Sequence, residues 1–442
     1  MADRAVSGHP AVQAQLDRLA ALSPGGDVLG LKRISTLLAR LGNPERRLPP
    51  VLHVAGTNGK GSTCAFLRAA IEAAGLTAHL YTSPHLVRFN ERIRITGKLI
   101  EDEPLAALLA EALDAAAGME ISFFEATTAA AFLAFSRAPA DACIVEVGLG
   151  GRLDATNVIP APAACGIAQL GLDHQAFLGD RIEQVASEKA GIAKKDVPLV
   201  THHYPPAIAD RIGEAAAKAG AVWLPRGGRW DISVQPGELR YRDERGRIDL
   251  PPPRLRGAHQ ATNAGLAVAM LRHQDALRIP ESALKAAMGW ADWPARLQRL
   301  AAGPLHDLLP RDSELWLDGG HNPAAARAVA DYFRLHVPAD RPFHIVLGLL
   351  ANKEVAGVLK PFQGRSLTFH PVPVEAHDHH APAALSRSAK ESGLSAVPAS
   401  SVEEALGWIA RHSDRARPPV VLVFGSLYLA GEVLRKNGQV PS

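Results

Sequence analysis

The segment from Val51 to Gly75 limits what this chain can fold into more than any other. Val51–Ala55 is a short apolar run with the composition of a buried strand. It leads into GTNGKGS, Gly56–Ser62, and then into Thr63–Ala74, whose apolar spacing is helical until Gly75 stops it. Strand, glycine-rich turn and helix in that order make one βα unit. Short β-rich runs alternate with Ala/Leu-rich stretches along most of the chain, so the fold class is α/β with parallel sheets. Further strands are expected at Ala78–Tyr81, Ala142–Val147 and Ala164–Gln169, and helices at Pro104–Ala117 and Ala126–Ser136.

At 442 residues the chain exceeds one ordinary core, which calls for two domains. Gly, Pro, Trp and Arg crowd Trp223–Arg254, read as a small antiparallel excursion with a hairpin around Asp243–Gly246. Helical spacing resumes at His259–Arg272, and Trp293-Pro294 breaks the chain. A second series follows: a strand at Glu314–Leu317, a helix from Pro323, and strands at His344–Leu347 and Val420–Phe424. The boundary falls near Arg296–Leu300, giving domains 1–297 and 298–442.

Lys and Arg number 48 against 45 acidic residues, a formal charge of +3. That near-neutrality argues against a nucleic-acid partner, which needs a basic face. No apolar run approaches the roughly 18 residues of a membrane helix, and the N-terminal stretch lacks a signal-peptide core. Cys64, Cys143 and Cys165 lie in apolar surroundings with no CxxC pairing, and read as buried thiols of a reducing compartment. The expectation is a cytoplasmic protein that meets neither nucleic acid nor membrane.

A glycine-rich turn before a helix leaves backbone N–H groups at the helix's positive end, where they cradle phosphate. Here Gly56, Thr57, Asn58, Gly59 and Gly61 supply the backbone. Lys60 supplies a point charge, and Ser62 or Thr63 a hydroxyl for Mg²⁺. The loop is shorter than GxxxxGK, because Val54 stands where that pattern needs its first glycine. By itself the loop leaves kinase, GTPase and ligase open.

Glu146 ends the strand Ala142–Val147, where a carboxylate can hold Mg²⁺. Gly148–Gly151 lets backbone approach a ligand, and Arg152, Asp154 and Asn157 follow with polar groups. Past the next strand, Asp173 and His174 are candidates for a second metal position, against the plain alternative of a satisfied structural histidine. Glu188 and Lys189 fall in an expected helix, where most lysines are solvated surface charges.

The motifs together resemble the folylpolyglutamate synthetase and dihydrofolate synthetase family, relatives of the amide-bond ligases that build the murein peptide. The resemblance rests on GTNGKGS (Gly56–Ser62), SPHLVRFNERIRI (Ser83–Ile95), EVGLGGRLDATN (Glu146–Asn157), LDH…LG (Leu172–Gly179), EKAGI (Glu188–Ile192), LDGGHNP (Leu317–Pro323) and GSLYLAGEVL (Gly425–Leu434). Seven motifs in family order span nearly the whole chain. The architecture this implies is an N-terminal P-loop-type parallel-sheet ATPase domain with a smaller C-terminal Rossmann-like α/β domain.

The resemblance also implies roles. Ser83, Glu146 and His174 match Mg²⁺ ligands, with Ser62 near the metal and two metal sites in all. Lys189 matches a lysine that the family carbamylates with CO₂, which requires an amine whose pKa is depressed. Asn263, Arg296 and Asp318 match nucleotide contacts, and His321 is used near the phosphates. Asn322 and Pro323 have a local role as helix cap and first turn. Asp27, Val28 and Leu29, Ser122, Phe123, Phe124 and Glu125, and Arg152, Leu153, Asp154 and Ala155 match the pteroate side. If the two Phe lie on a strand, only one faces any given side. Asn352-Lys353-Glu354 departs from the family's usual Asp-Lys-Asp, and the cluster Glu375–His380 is no family motif and reads as a solvated loop.

The implied reaction is ATP-dependent amide formation. A substrate carboxylate takes the γ-phosphoryl group, L-glutamate's amine attacks the acyl phosphate, and phosphate leaves. The acceptors are 7,8-dihydropteroate and the γ-carboxylate of reduced folates, in a monomer whose second domain closes over ATP near Arg296. A tail-extending enzyme alone, a murein-precursor ligase, a P-loop kinase and a nucleotide switch remain as alternatives.

Overall fold

The structure, a computed structural model, describes residues 5–22, 29–414 and 416–442. The chain forms two compact units, one taking in Met1–Arg254 and His259–Asp292, the other Leu255–Ala258 and Trp293–Pro441. Arg296 and Leu297 therefore lie in the second unit, although the sequence reading ends the first domain at 297.

The first unit is built on eight strands: β1 Val51–Ala55, β2 Ala78–Tyr81, β3 Ile93–Ile95, β4 Lys98–Leu99, β5 Ala142–Glu146, β6 Ala164–Ile167, β7 Pro198–Thr201 and β8 Val222–Pro225. Their order is β4-β3-β2-β5-β1-β6-β7-β8. β3 and β4 are antiparallel edge strands, and the rest are parallel. Every residue of β1, β5 and β6 is buried, as continuous apolar runs covered on both faces require. Val54 pairs with Glu146 on one side and Gly166 on the other. The chain leaves β1 for β2 beyond β5, then crosses from β5 to β6 past β1. The strand order reverses at β1, and ligands of open parallel sheets collect at the carboxyl ends beside such a reversal.

On one face Val51, Tyr81 and Val145 join the apolar side of helix Phe123–Arg137. Ala55, Cys165, Ile167 and Leu199 pack with Ala186, Ala190 and Ile212 of helices farther along. Helix Lys60–Ala73 packs against both His259–Arg272 and Glu281–Trp290. Three antiparallel strands, β9 Trp230–Gln235, β10 Glu238–Asp243 and β11 Gly246–Leu250, form a separate small sheet against helix His259–Arg272. Its hairpin turn lies between Asp243 and Gly246, as expected. Val222–Pro225 does not belong to that excursion: it pairs in parallel with β7 and completes the large sheet.

The second unit carries a six-stranded sheet of β12 Gln298–Arg299, β13 Glu314–Asp318, β14 Phe343–Leu347, β15 Thr368–Pro371, β16 Ser395–Ala396 and β17 Val420–Phe424. The order is β12-β13-β17-β14-β15-β16, parallel apart from β12. The two units match the expected α/β class. Among the described residues no helix is long and apolar enough to cross a membrane, and the three cysteines are buried and unpaired.

Candidate active site

Helix Lys60–Ala73 starts three residues earlier than its apolar spacing suggests, because Gly59 takes the left-handed conformation (φ 84°) and acts as N-cap. Lys60, Gly61 and Ser62 therefore form the first turn, and the loop shrinks to Gly56–Gly59. Thr57 and Asn58 donate their N–H groups to Gln169 O at 2.8 and 3.1 Å, and Thr57 Oγ1 bonds Gly171 O at 2.9 Å. The loop is thus tied to the segment after β6. A Cβ at Gly59 would strike the side chain of Asn263. Gly59→Ala combines that clash with a conformation costing L residues about 1–2 kcal/mol. The expected outcome is a lowered melting temperature together with a raised KM for ATP, read by thermal denaturation and steady-state kinetics.

Glu146, at the end of β5, is 5% exposed, so it is no solvated strand end. Its carboxylate lies 3.7 Å from Lys60 Nζ and accepts the Ser83 N–H at 3.4 Å. Ser62 is buried and accepts a hydrogen bond from Gln260 Nε2 at 3.3 Å, and Gln260 Oε1 accepts from Asn263 Nδ2 at 3.0 Å. Gln260 escaped the sequence reading. Its one signal was an amide three residues before Asn263, on the same helix face. Ser62, Ser83, Lys60, Glu146 and Asn263 thus surround the loop within the first unit.

Lys189, on helix Ile182–Ala190, is not a surface charge either. It is buried, and its Nζ donates to Gly56 O at 2.9 Å. Burial, reinforced by the positive charge of Lys60, lowers its pKa from 10.5 to about 7, against the opposing pull of Asp173 and Asp154. His174 is exposed in a left-handed conformation (φ 52°) ahead of the short helix Gln175–Leu178, its N–H donating to Asp173 Oδ1 at 2.8 Å. Among the described residues no three His, Cys, Asp or Glu side chains gather as a metal cluster. The expected set differs in kind, relying on serine hydroxyls and a lysine beside Glu146 and His174.

The loop after β5 presses on that helix: Arg152 N donates to Glu188 O at 2.8 Å, and the Arg152 and Glu188 side chains pair at 2.8 Å. Asn157 Nδ2 reaches Gly191 O at 3.0 Å. Asp154 is buried and receives Leu149 N at 2.8 Å and Thr156 N at 3.0 Å. Phe123 and Phe124 lie on a helix, not a strand, because Ser122 and Glu125 form a capping box that starts it at Phe123. Phe123 is buried, whereas Phe124 is half-buried with its ring on Gly148, where any Cβ would collide with it. Glu125 also pairs with Arg33 at 3.1 Å. Leu153 and Ala155 lie in the same loop, and Leu29 is half-buried. Asp27 and Val28 lie outside the described residues.

In the second unit Arg296, Asp318 and His321 come together at the end of β13. Ala295 and Leu297, on either side of Arg296, both have positive φ (54° and 41°), a strained conformation for non-glycine residues. Asp318 holds the strain in place, accepting Leu297 N at 2.8 Å and Gly320 N at 2.7 Å. Arg296 Nη1 bonds Ala295 O at 2.9 Å, and His321 Nδ1 donates to Gly319 O at 3.0 Å. Asn322 caps the next helix by accepting Ala325 N, with Pro323 in its first turn. The Glu375–His380 loop is tied down: Asp378 O accepts Ala351 N at 3.0 Å, His380 Nε2 donates to Lys353 O at 2.9 Å, and His377 stacks on Tyr428 at 3.8 Å. Glu354, in the departing Asn352-Lys353-Glu354 triplet, caps a short helix.

Residues 304–436 match the family model described as dihydrofolate synthetase, C-terminal domain. The chain is 33% identical to dihydrofolate synthase/folylpolyglutamate synthase of Escherichia coli, over 92% of this chain and 90% of that protein. It superposes on E. coli FolC in complex with DHPP and ADP with a TM-score of 0.86 and 30% identity, covering 97% of each chain. It likewise matches a bifunctional folylpolyglutamate synthase/dihydrofolate synthase with Mn, AMPPNP and L-glutamate bound, with a TM-score of 0.84 and 31% identity over 98% of this chain and 99% of that one.

Proposed function

The chain belongs to the dihydrofolate synthase/folylpolyglutamate synthase family, and on that premise we propose that it uses ATP to join L-glutamate to 7,8-dihydropteroate and to the γ-carboxylate of reduced folates. One observation carries the reading. The phosphate loop, the Lys60–Glu146 pair and the buried Lys189 amine converge at the carboxyl end of β1. The site needs no side-chain nucleophile for this chemistry.

The Gly56–Ser62 backbone and Lys60 fit the β- and γ-phosphates, with Asn263 as a further nucleotide contact; Arg296, Asp318 and His321 match nucleotide contacts by the family resemblance alone. Lys60 holds positive charge where negative charge develops as the acceptor carboxylate attacks the γ-phosphorus. ADP leaves, an acyl phosphate remains, and the amine of L-glutamate displaces phosphate to form the amide. Positioning supplies much of the acceleration, because both attacks occur between bound partners.

The hard oxygens of Ser62, Ser83 and Glu146 fit Mg²⁺, and His174 with carbamylated Lys189 would serve a second ion. Bound Mg²⁺ supplies positive charge to the phosphate oxygens. Carbamylation would join the Lys189 amine, neutral above about pH 7, to CO₂: a new N–C bond forms, one proton passes to water, and the side chain becomes an anion. Phe124 stacks on the pterin over Gly148, beside the Ser122–Glu125 cap and Leu153–Ala155. Leu29, with Asp27 and Val28, completes the expected pteroate side.

The deciding assay is ADP release with Mg-ATP and L-glutamate, adding 7,8-dihydropteroate, a tetrahydrofolate, or neither. Turnover with both acceptors is expected. Turnover with the folate alone would reduce the protein to a tail-extending enzyme, and glutamate-independent turnover would favour a kinase.

A further inference from the structure

His53 sits in the middle of β1, fully buried, three residues before Gly56 opens the phosphate loop. Its register neighbours, Val145 on β5 and Cys165 on β6, carry no charge. Lys194, whose Nζ donates to Asn157 O at 2.9 Å, adds a positive charge to its surroundings. Burial first, then that ammonium, push the imidazole pKa down to about 3, so the ring is neutral and carries one N–H.

The hydrogen bonds say which nitrogen carries it. Thr156 Oγ1 has a single hydrogen and gives it to Asp154 Oδ1, which also accepts the Thr156 N–H at 3.0 Å. The 2.9 Å contact between Thr156 Oγ1 and His53 Nε2 therefore requires the hydrogen on Nε2. Nδ1 is left buried with no hydrogen-bond partner, as an unprotonated nitrogen in an apolar setting. The result is a one-way chain: His53 Nε2–H to Thr156 hydroxyl to Asp154 carboxylate. Asp154 in turn fixes both ends of its loop, through Leu149 N at one end and Thr156 N at the other. Its oxygens are occupied by the loop's own donors.

We propose that His53 is a positioning residue for acceptor binding, setting through Thr156 and Asp154 the shape of the Gly148–Ala155 loop that faces the pterin-bearing substrate. This rests on the folate-ligase reading above. Asp154 then acts on the substrate through the loop it holds, and contacts from Leu153–Ala155 run through main chain.

The test compares His53→Gln, which keeps an N–H donor, His53→Met, which does not, and Thr156→Val, which removes the relay hydroxyl. An unsatisfied buried partner predicts that His53→Met and Thr156→Val each raise KM for 7,8-dihydropteroate about tenfold. KM for ATP should stay within about twofold, although His53 leads directly into the ATP loop, and His53→Gln should restore acceptor KM. The double variant His53→Met/Thr156→Val should be no worse than either single one, because both cut one chain. A role confined to the stability of β1 would instead raise KM for ATP alongside, or lower melting temperature with acceptor KM unmoved, and either result overturns the proposal. If His53→Met fails to fold, Thr156→Val decides by the same two KM values. Wild-type protein with no glutamate-dependent turnover would overturn the ligase reading itself. Normal wild-type turnover with no KM split would overturn only the role of His53.

Discussion

Replacing Lys60 by methionine is expected to lower kcat for glutamate-dependent ADP release by about 10²–10³, the usual consequence of deleting one preorganised charge at a transition state. Lys60 lies in the first turn after Gly59 with its amine aimed toward Glu146, yet the 3.7 Å separation is too long for a hydrogen bond. Its removal leaves the buried Glu146 carboxylate without that cation, so the melting temperature should fall as well as kcat. Single-turnover measurement places the loss: formation of the acyl phosphate should slow, whereas aminolysis of preformed intermediate should not. A variant with unchanged turnover would show that the loop's backbone carries the phosphates unaided.

The second large effect concerns Lys189. With a folded-state pKa of about 7 against 10.5 when unfolded, the unfolded chain binds more protons between those values. The stability of the first unit must therefore rise with pH across that window. Below about pH 7 both states are protonated, and the full penalty of burying an ammonium is present, on the order of 5 kcal/mol. Chemical denaturation in CO₂-free buffer from pH 6 to about 10 should show this slope, and Lys189→Met should abolish it. The same variant should lose most glutamate-dependent turnover. Wild-type activity should fall as pH drops through about 7, where the amine becomes protonated and can no longer take up CO₂, and bicarbonate should oppose that fall. Lys189→Arg should not rescue, since guanidinium stays charged. Intact-mass analysis gaining one CO₂ on Lys189 would give the direct readout.

Much of the first unit was legible because its strands are short apolar runs bounded by glycine or polar turns. Val51–Ala55 and Ala78–Tyr81 have the expected bounds. Element ends were less legible where a cap overrides periodicity: Gly59 moves one helix start to Lys60, and the Ser122–Glu125 box moves another to Phe123. Trp223–Pro225 shares its composition with the hairpin that follows, whereas its pairing with β7 is a tertiary fact. The site's motif residues could be listed from the chain, but their burial could not. Lys189 looks like any helical lysine until β1 and its loop are placed over it. The strain on either side of Arg296 has no local signal, since alanine and leucine are ordinary residues at extraordinary dihedrals. His53 was invisible for a similar reason, its partner Thr156 being 103 residues away.

The position of β1 at the centre of its sheet also bears on how the protein is made. Its neighbours are β5 and β6, not the β2 that follows it in the chain. During synthesis the strand bearing the phosphate loop emerges first and has no edge to join until Ala142–Glu146 has left the ribosome. At translation rates of about 5–20 residues per second, that wait lasts roughly 4–20 s. Throughout it, an apolar five-residue strand ahead of a flexible glycine turn is open to the wrong partners. The most exposed moment in the life of this enzyme comes before it has bound any substrate, and a holdase that shields Val51–Ala55 during elongation should raise the yield of active protein more than one supplied after release.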